Sequence, residues 1–302
     1  MSGALADVMA QMGSLFESDN VASLILAGAA TARPASGPGT PPQIAVQERR
    51  SDIDDLPASR GLPRPNAHAV VIGISGYRQK LPAAGFADSD ARLVSRYLTQ
   101  TLGYQDENVA TLINEQASKS DFEKYFDRWL PNRVEDGDEV FVFYAGHGAP
   151  NPTTGEANLV PYDGDPTYLK QTGYPVSRLY AALAKLPARK ITVVLDSGFS
   201  GAGERSVLAK GAKPLVIAAS GEDIPSKMAV LSASAADQTI RNYDEKGHGL
   251  FTYFFLKGIK EKSANGNVNL KGVFDYAADQ VSKTARRDFN ADQVPQWRGA
   301  NP

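Results

Sequence analysis

The sequence predicts an α/β fold, a mostly parallel central sheet with helices on both faces. Three observations predict it. Val140 to Tyr144 (VFVFY) and Ile191 to Leu195 (ITVVL) are near-continuous apolar, β-branched or aromatic runs, as in strands buried on both faces, and each ends in a sharp polar, Gly-rich turn. Apolar runs of this kind alternate with segments of helical period along most of the chain, which implies parallel strands joined by right-handed crossovers. The 302 residues are 42% hydrophobic and 22% charged, an ordinary globular composition with room for one large domain or two small ones.

The elements follow in order. Residues 2–30 carry Leu5, Val8, Met9, Met12, Leu15 and Phe16 at roughly helical spacing, and Asp19 or Asn20 is placed to cap a second short helix. This stretch reads either as an amphipathic helix on its own domain or as a docking segment for a regulatory partner. Residues 31–66 hold seven of the 19 prolines and no aromatic residue, too little apolar surface to offset the entropy of ordering a core, so they read as a linker or an extended wrap. Residues 1–66 are therefore expected to be an N-terminal extension and residues 67–302 the domain.

In the domain, His68 to Ser75 is a first strand, and Gly76-Tyr77 turns the chain. A helix over Phe86 to Leu102 is stopped by Gly103. Asn108 to Ile113 is a second strand. Ser120 to Leu130 is a helix, with Ser120 and Glu123 at capping-box spacing. Glu139 to Tyr144 is the third strand, Val176 to Leu186 a helix and Lys190 to Leu195 the fourth strand. Ala229 to Ser234 is a further strand, Leu250 to Lys260 and Leu270 to Ala285 are helices, and a polar, Pro-bearing tail closes the chain.

Composition also excludes. The formal net charge of −2 gives no footprint for nucleic acid. With no cysteine there is no disulfide, no thiolate metal site and no cysteine nucleophile in this chain. Three histidines, His68, His147 and His248, are too few for a His-rich metal site. The apolar run Val21 to Ala30 is short of the roughly 18 residues a membrane span needs, and acidic and polar residues precede it where a signal peptide is cationic. The expected location is cytoplasmic, with no membrane partner. A dinucleotide-binding reading fails because Gly73 and Gly76 lack a third glycine at the required spacing.

The chemistry concentrates in the two strand-end turns. Gly146-His147-Gly148 sets an imidazole between two glycines, which suits a general base near neutral pH and leaves a backbone N–H beside it free to donate. Asp196-Ser197-Gly198-Phe199-Ser200-Gly201 closes the fourth strand.

Together these turns resemble the caspase-like cysteine peptidases, in particular bacterial caspase homologues and metacaspases. The matching segments are VVIGISGY at 70–77, DSDARLVSRYL at 88–98, YAGHG at 144–148, DSGFSG at 196–201, LSASAADQ at 231–238 and GHGLFTYFF at 247–255, in the family's order from about Ala67 to Pro302. The resemblance implies a caspase-like fold and an endopeptidase cutting by thiolate attack. It implies that His147 is the general base and that Gly198 stands where the family has its cysteine. The N–H groups of Gly148 and Gly198 become the oxyanion donors. Asp90 and Asp196 become the carboxylates of an acidic P1 pocket, with Ser232 a further substrate-binding residue. Two carboxylates favour Arg or Lys over Asp at P1.

Glycine offers no thiolate, so the chain as written is expected to be inactive. It is either an engineered form of a peptidase, the reading favoured by the intact remainder of the site, or a natural pseudopeptidase that binds peptides or regulates a partner. Residues 201–227 carry Arg205, Lys210 and Lys213 where the family is often cut, so they are either self-cleavage sites or an ordinary solvated loop. Some metacaspases are activated by calcium, but Glu135 to Glu139 lacks EF-hand spacing and reads as a solvated turn; no metal site or cofactor is assigned. His248, between Gly247 and Gly249, reads as a loop-closing residue or else as one on the rim of the site, and His68 as structural.

Overall fold

A computed structural model describes residues 50–58, 60–209, 224–263 and 268–300. The amphipathic stretch 2–30, residues 31–49, and Lys210 and Lys213 lie outside the described residues. The elements are β1 (Ala67–Gly73), α1 (Ala87–Arg96), β2 (Val109–Ile113), α2 (Lys119–Lys124), β3 (Glu139–Ala145), β4 (Gly148–Pro150), β5 (Ala157–Leu159), α3 (Leu169–Thr172), β6 (Tyr174–Pro175), α4 (Val176–Ala184), β7 (Lys190–Asp196), β8 (Met228–Ser232), β9 (Asn242–Tyr243), β10 (His248–Gly249), α5 (Leu250–Lys262), α6 (Leu270–Phe289) and β11 (Gln296–Gly299).

The main sheet has the order β11-β8-β7-β3-β1-β2. Five strands run parallel. β11 pairs antiparallel with β8, so the tail read as merely polar supplies an edge strand. Every residue of β1 is buried, and β3 and β7 are buried after their first residue, as the continuous apolar runs require. Helices α1 and α5 lie on one face, where Val94, Tyr97, Phe255 and Leu256 line a cavity together with Val140, Phe141 and Thr192 of the sheet. On the other face Phe122 of α2 meets Tyr144 of β3 and Tyr174. A Cβ on Gly73 would lie 2.5 Å from the Ala91 Cβ and 2.3 Å from the Ala87 carbonyl oxygen, so glycine there sets how closely α1 approaches β1.

Register positions the site. Gly73 pairs with Ala145, and Ala145 with Asp196, so β1, β3 and β7 end level and deliver their loops side by side. This carboxyl edge, where β1 has β2 on one side and β3 on the other, is the crevice in which open α/β sheets build sites.

Two local expectations change. The capping box at α2 is made by Ser118 and Asp121, not Ser120 and Glu123: the Asp121 N–H donates to Ser118 Oγ and the Ser118 N–H to Asp121 Oδ2. Both pairs have the same spacing, and Ser118 alone holds the extended backbone of a cap. Helices α1 and α2 both widen into a π-turn, Tyr97–Thr101 and Tyr125–Trp129, before ending. The positive φ of Gly103, 79°, follows the first of these.

The described residues all belong to one compact unit. The described part of the Pro-rich stretch is a wrap. Ile53 is fully buried, and its carbonyl accepts from the Tyr97 hydroxyl at 2.9 Å. Asp52 accepts from the Tyr253 hydroxyl at 2.7 Å and pairs with Lys257, while Lys260 donates to the carbonyls of Asp52 and Asp55. Residues 51–55 thus strap α1 to α5. Among the described residues no helix is long and apolar enough to cross a membrane.

Candidate active site

The His147 turn is held by two tyrosines. The His147 N–H donates to the Tyr77 hydroxyl at 2.6 Å, the Tyr144 hydroxyl donates to the His147 carbonyl at 2.7 Å, and the Tyr77 ring stacks on the imidazole at 4.9 Å. Nε2 of His147 lies 2.7 Å from the Pro82 carbonyl. A carbonyl only accepts, so Nε2 carries the proton and Nδ1 presents its lone pair. Nδ1 is buried with no partner among the described residues. Burial, with the nearby Arg205 cation, drives the His147 pKa down to about 4 against the bond to Pro82. The imidazole is therefore neutral at physiological pH, the form a base requires.

Asp90, from the first turn of α1, and Asp196, the last residue of β7, are both fully buried. They converge on Arg205. Its Nη2 lies 2.9 Å from Asp90 Oδ2 and donates to the Gly85 carbonyl at 3.0 Å, while its Nη1 lies 3.0 Å from Asp196 Oδ2. Burial opposes the guanidinium charge, but the two carboxylates over-compensate and hold the Arg205 pKa above its ordinary value. Asp196 is pushed up by burial, against the pull of Arg205. Thr252 of α5 donates to Asp196 Oδ2 at 2.5 Å.

The carbonyl of Arg205 meets the second half of the site. It accepts from the Gly198 N–H at 2.9 Å and the Gly148 N–H at 3.1 Å. One residue of the chain thus joins the two donors and the two aspartates singled out from sequence. The segment runs on beside β4 through a single bridge: the Val207 N–H donates to the Gly148 carbonyl at 2.9 Å, and Ser206 bridges Gly148 in parallel sense. On the other side the Asn242 N–H donates to Glu204 Oε2.

Gly198 faces the Arg205–Ser206 peptide. A Cβ there would stand 3.7 Å from the Arg205 carbonyl carbon, 3.5 Å from its oxygen and 3.3 Å from the Ser206 Cβ. Its φ is not in the left-handed region, so a side chain fits with at most a slight shift of Ser206. Gly148 and Gly249 are different. A Cβ on Gly148 would meet the Gly198 carbonyl oxygen at 2.3 Å, and one on Gly249 would meet Arg205 Nη2 at 2.5 Å.

Some expectations do not join the site. Ser232 bonds the Ser234 carbonyl and, with Ser197 and Phe199 on either side of Gly198, lines a cavity of about 180 Å³; paired with Leu195, it lies on the face of the sheet opposite Asp196. His248 closes no mere loop: its Nδ1 lies 2.7 Å from Asp90 Oδ1. His68 is paired with Asp138 at 3.0 Å, at the far end of the sheet. The Glu135–Glu139 stretch does not fit a calcium ion, since Asp138 is engaged by His68 and the Glu135 N–H, and Glu139 by Arg64 and Arg189. Among the described residues no group of three or more His, Asp or Glu is placed to hold a metal. Sequence reasoning missed Tyr77, the Pro82 carbonyl, Gly249 and Thr252. The last two lie inside GHGLFTYFF, a segment that carried the resemblance without an assigned role.

Residues 66–301 match the sequence profile of the caspase domain. The chain belongs to the caspase domain family of peptidases. Over 144 residues it is 28% identical to metacaspase-1A of Aspergillus fumigatus, covering 44% of this chain and 34% of that protein. It is 27% identical over the same length to metacaspase-1A of Aspergillus niger, covering 35% of it. The chain thus spans about a third of the length of the curated relatives it matches. Two solved structures share the fold. Protein GSU0716 from Geobacter sulfurreducens has a TM-score of 0.56 at 17% identity, over 79% of this chain and 95% of that one. Caspase-1 from Spodoptera frugiperda has a TM-score of 0.51 at 13% identity, over 80% and 89%. In a family of cysteine peptidases, this member has no cysteine anywhere in its sequence.

Proposed function

We propose that this chain is the nucleophile-less form of an endopeptidase that cuts after Arg or Lys, and that the Arg205–Ser206 bond is its own first substrate. The observation that carries the reading is the seat of Arg205: guanidinium between Asp90 and Asp196, carbonyl on the Gly148 and Gly198 N–H groups, scissile peptide facing position 198. It favours Arg205 over Lys210 and Lys213 as the processing site.

With cysteine at 198, each step has its group. His147 Nδ1 takes the thiol proton and the thiolate attacks the Arg205 carbonyl carbon. The oxygen that gains charge stays on the two backbone donors, an interaction that strengthens as the tetrahedral species forms. The C–N bond to Ser206 breaks, its nitrogen receives the proton from His147, and water then hydrolyses the thioester. The Pro82 carbonyl keeps the imidazole in the tautomer that presents Nδ1. Glycine supplies no electron pair, so here the segment stays uncut. Engineered replacement of a cysteine is consistent with a backbone that accepts a side chain at 198.

A second reading, a natural pseudopeptidase, is favoured by one observation: Arg205 is fully buried in the P1 pocket and leaves none of it to an added peptide. Introducing Gly198→Cys separates the two. The peptidase reading expects scission after Arg205 and then turnover of peptides with Arg, but not Asp, at P1. No turnover of any peptide, with calcium or without, favours the pseudopeptidase.

A further inference from the structure

His248 has no part in the chemistry above, yet it touches the P1 pocket. It is buried, and its Nδ1 lies 2.7 Å from Asp90 Oδ1. The other oxygen of Asp90 receives the Gly249 N–H at 2.9 Å and the Arg205 guanidinium. Nε2 of His248 faces Asp54 Oδ1 at 3.5 Å, at the outer limit of hydrogen-bond length, and has no closer partner among the described residues. Asp54 belongs to the strap 51–55, which precedes the region that matches the caspase domain.

The groups around the ring can be named from each side. Asp90 comes from α1, with Arg205 and Asp196 beyond it. Asp54 comes from the strap. From α5 the Tyr253 ring stacks at 6.5 Å, its hydroxyl bonded to Asp52, with Lys246 and Lys257 over its face.

Nδ1–H can donate to Asp90 in both charge states of the ring, so the titrating proton is the one on Nε2, which faces the strap. With that proton on, His248 attracts Asp54, and its positive charge lies against the carboxylate that receives a basic side chain. With it off, a lone pair faces Asp54 and the full charge of Asp90 is left to the guest.

We propose that His248 is a positioning residue that couples the strap to the basic P1 pocket: protonation fastens Asp54 and weakens the pocket's hold on Arg or Lys, and deprotonation does the reverse. The inference rests on the P1 reading above and adds its regulation. The pKa of His248 supports it. Burial lowers it, but the bond and charge of Asp90, with Asp54, leave it raised above the ordinary value. Linkage makes the effect reciprocal, so a bound basic side chain lowers the proton affinity of His248 and loosens the strap.

Two measurements test this. The first is an NMR pH titration of the His248 ring in the unaltered chain and in Asp54→Asn. The midpoint is expected above that of a free histidine and lower in the variant; a midpoint unmoved by Asp54→Asn overturns the coupling. The second uses Arg205→Ala, which opens the pocket while keeping Gly198, and titrates a fluorescent peptide ending in Arg at pH 6 and pH 8. Affinity is expected to be about 5-fold or more tighter at pH 8, and His248→Gln is expected to remove the difference. Equal affinity at both values overturns the role of His248 and spares the pocket. A folded Arg205→Ala chain that binds the peptide at neither pH overturns the pocket reading and this inference with it. If Arg205→Ala does not fold, the NMR comparison decides alone.

Discussion

The chain contains the tripeptide Gly-His-Gly twice, at 146–148 and at 247–249, and both histidines are buried beside the same pocket. Their electrostatics are opposite. His147 faces a carbonyl and a tyrosine ring, with the Arg205 cation near, so its pKa falls to about 4. His248 faces two carboxylates, and its pKa rises. One is the neutral imidazole proposed as the base, and the other adjoins Asp90, the carboxylate proposed to receive P1. In both places the tripeptide supplies close approach and a glycine N–H that donates into the pocket, to the Arg205 carbonyl and to Asp90; partners 65 and 158 residues away in sequence decide the chemistry.

The largest expected effect breaks the comparison at His147. In a Gly198→Cys chain, His147→Ala is expected to lower the rate of scission after Arg205 by about 10³-fold or more, because it removes the base. His248→Gln, which keeps a donor toward Asp90, is expected to change that rate only several-fold. Quenched-flow or gel time courses measure both. Equal losses in the two variants would erase the distinction.

Next is Arg205→Ala, which leaves Asp90 and Asp196 buried without their cation. Removing one side of such a cluster costs about 3–5 kcal/mol, read as a lower urea midpoint. Asp90 retains His248, so His248→Gln on top of Arg205→Ala is expected to cost more than His248→Gln alone. Gly249→Ala is expected to cost about 2 kcal/mol by pushing a methyl group onto Arg205. The equivalent change at the other tripeptide, Gly148→Ala, meets backbone at 2.3 Å and is expected to be worse.

The remaining effects are in pH. For His147 the folded value of about 4 lies below the unfolded 6.5, so the unfolded chain binds the extra proton and stability falls as pH drops from 6.5 to 4, by on the order of 3 kcal/mol in full. For His248 the folded value is raised, so its contribution is complete below 6.5 and is lost as pH rises through the folded value. Unfolding midpoints from pH 4 to 8 are therefore expected to flatten on the acid side in His147→Gln and on the alkaline side in His248→Gln. The same flattening in both would contradict the opposite environments.

Legibility divides along the same line. The fold could be read because buried strands write themselves as apolar runs, and the ends of β3 and β7 as Gly-rich turns. The α2 cap was misplaced because Ser118–Asp121 and Ser120–Glu123 share one spacing, and only backbone conformation chooses between them. β11 was missed because an edge strand of four residues has too little pattern to register. In the site, His147, Asp90, Asp196 and the Gly148 and Gly198 N–H groups could be named because they lie within the two turns and the α1 segment that carry the resemblance, whereas the Pro82 carbonyl leaves no signature. Arg205 could be named as a basic residue in a loop. Its seat depends on two carboxylates, one nine residues earlier and one 115. Ser232 shows the converse, a residue carried over by likeness that the pleat turns to the other face of the sheet.

The most direct test of the central claim is the intact mass of the Gly198→Cys chain after purification and incubation. The account expects two fragments that meet at the Arg205–Ser206 bond, and a single intact species once Arg205→Ala is added. A Gly198→Cys chain that turns over an added Arg peptide yet stays whole, or that is cut elsewhere while Arg205–Ser206 survives, would contradict it.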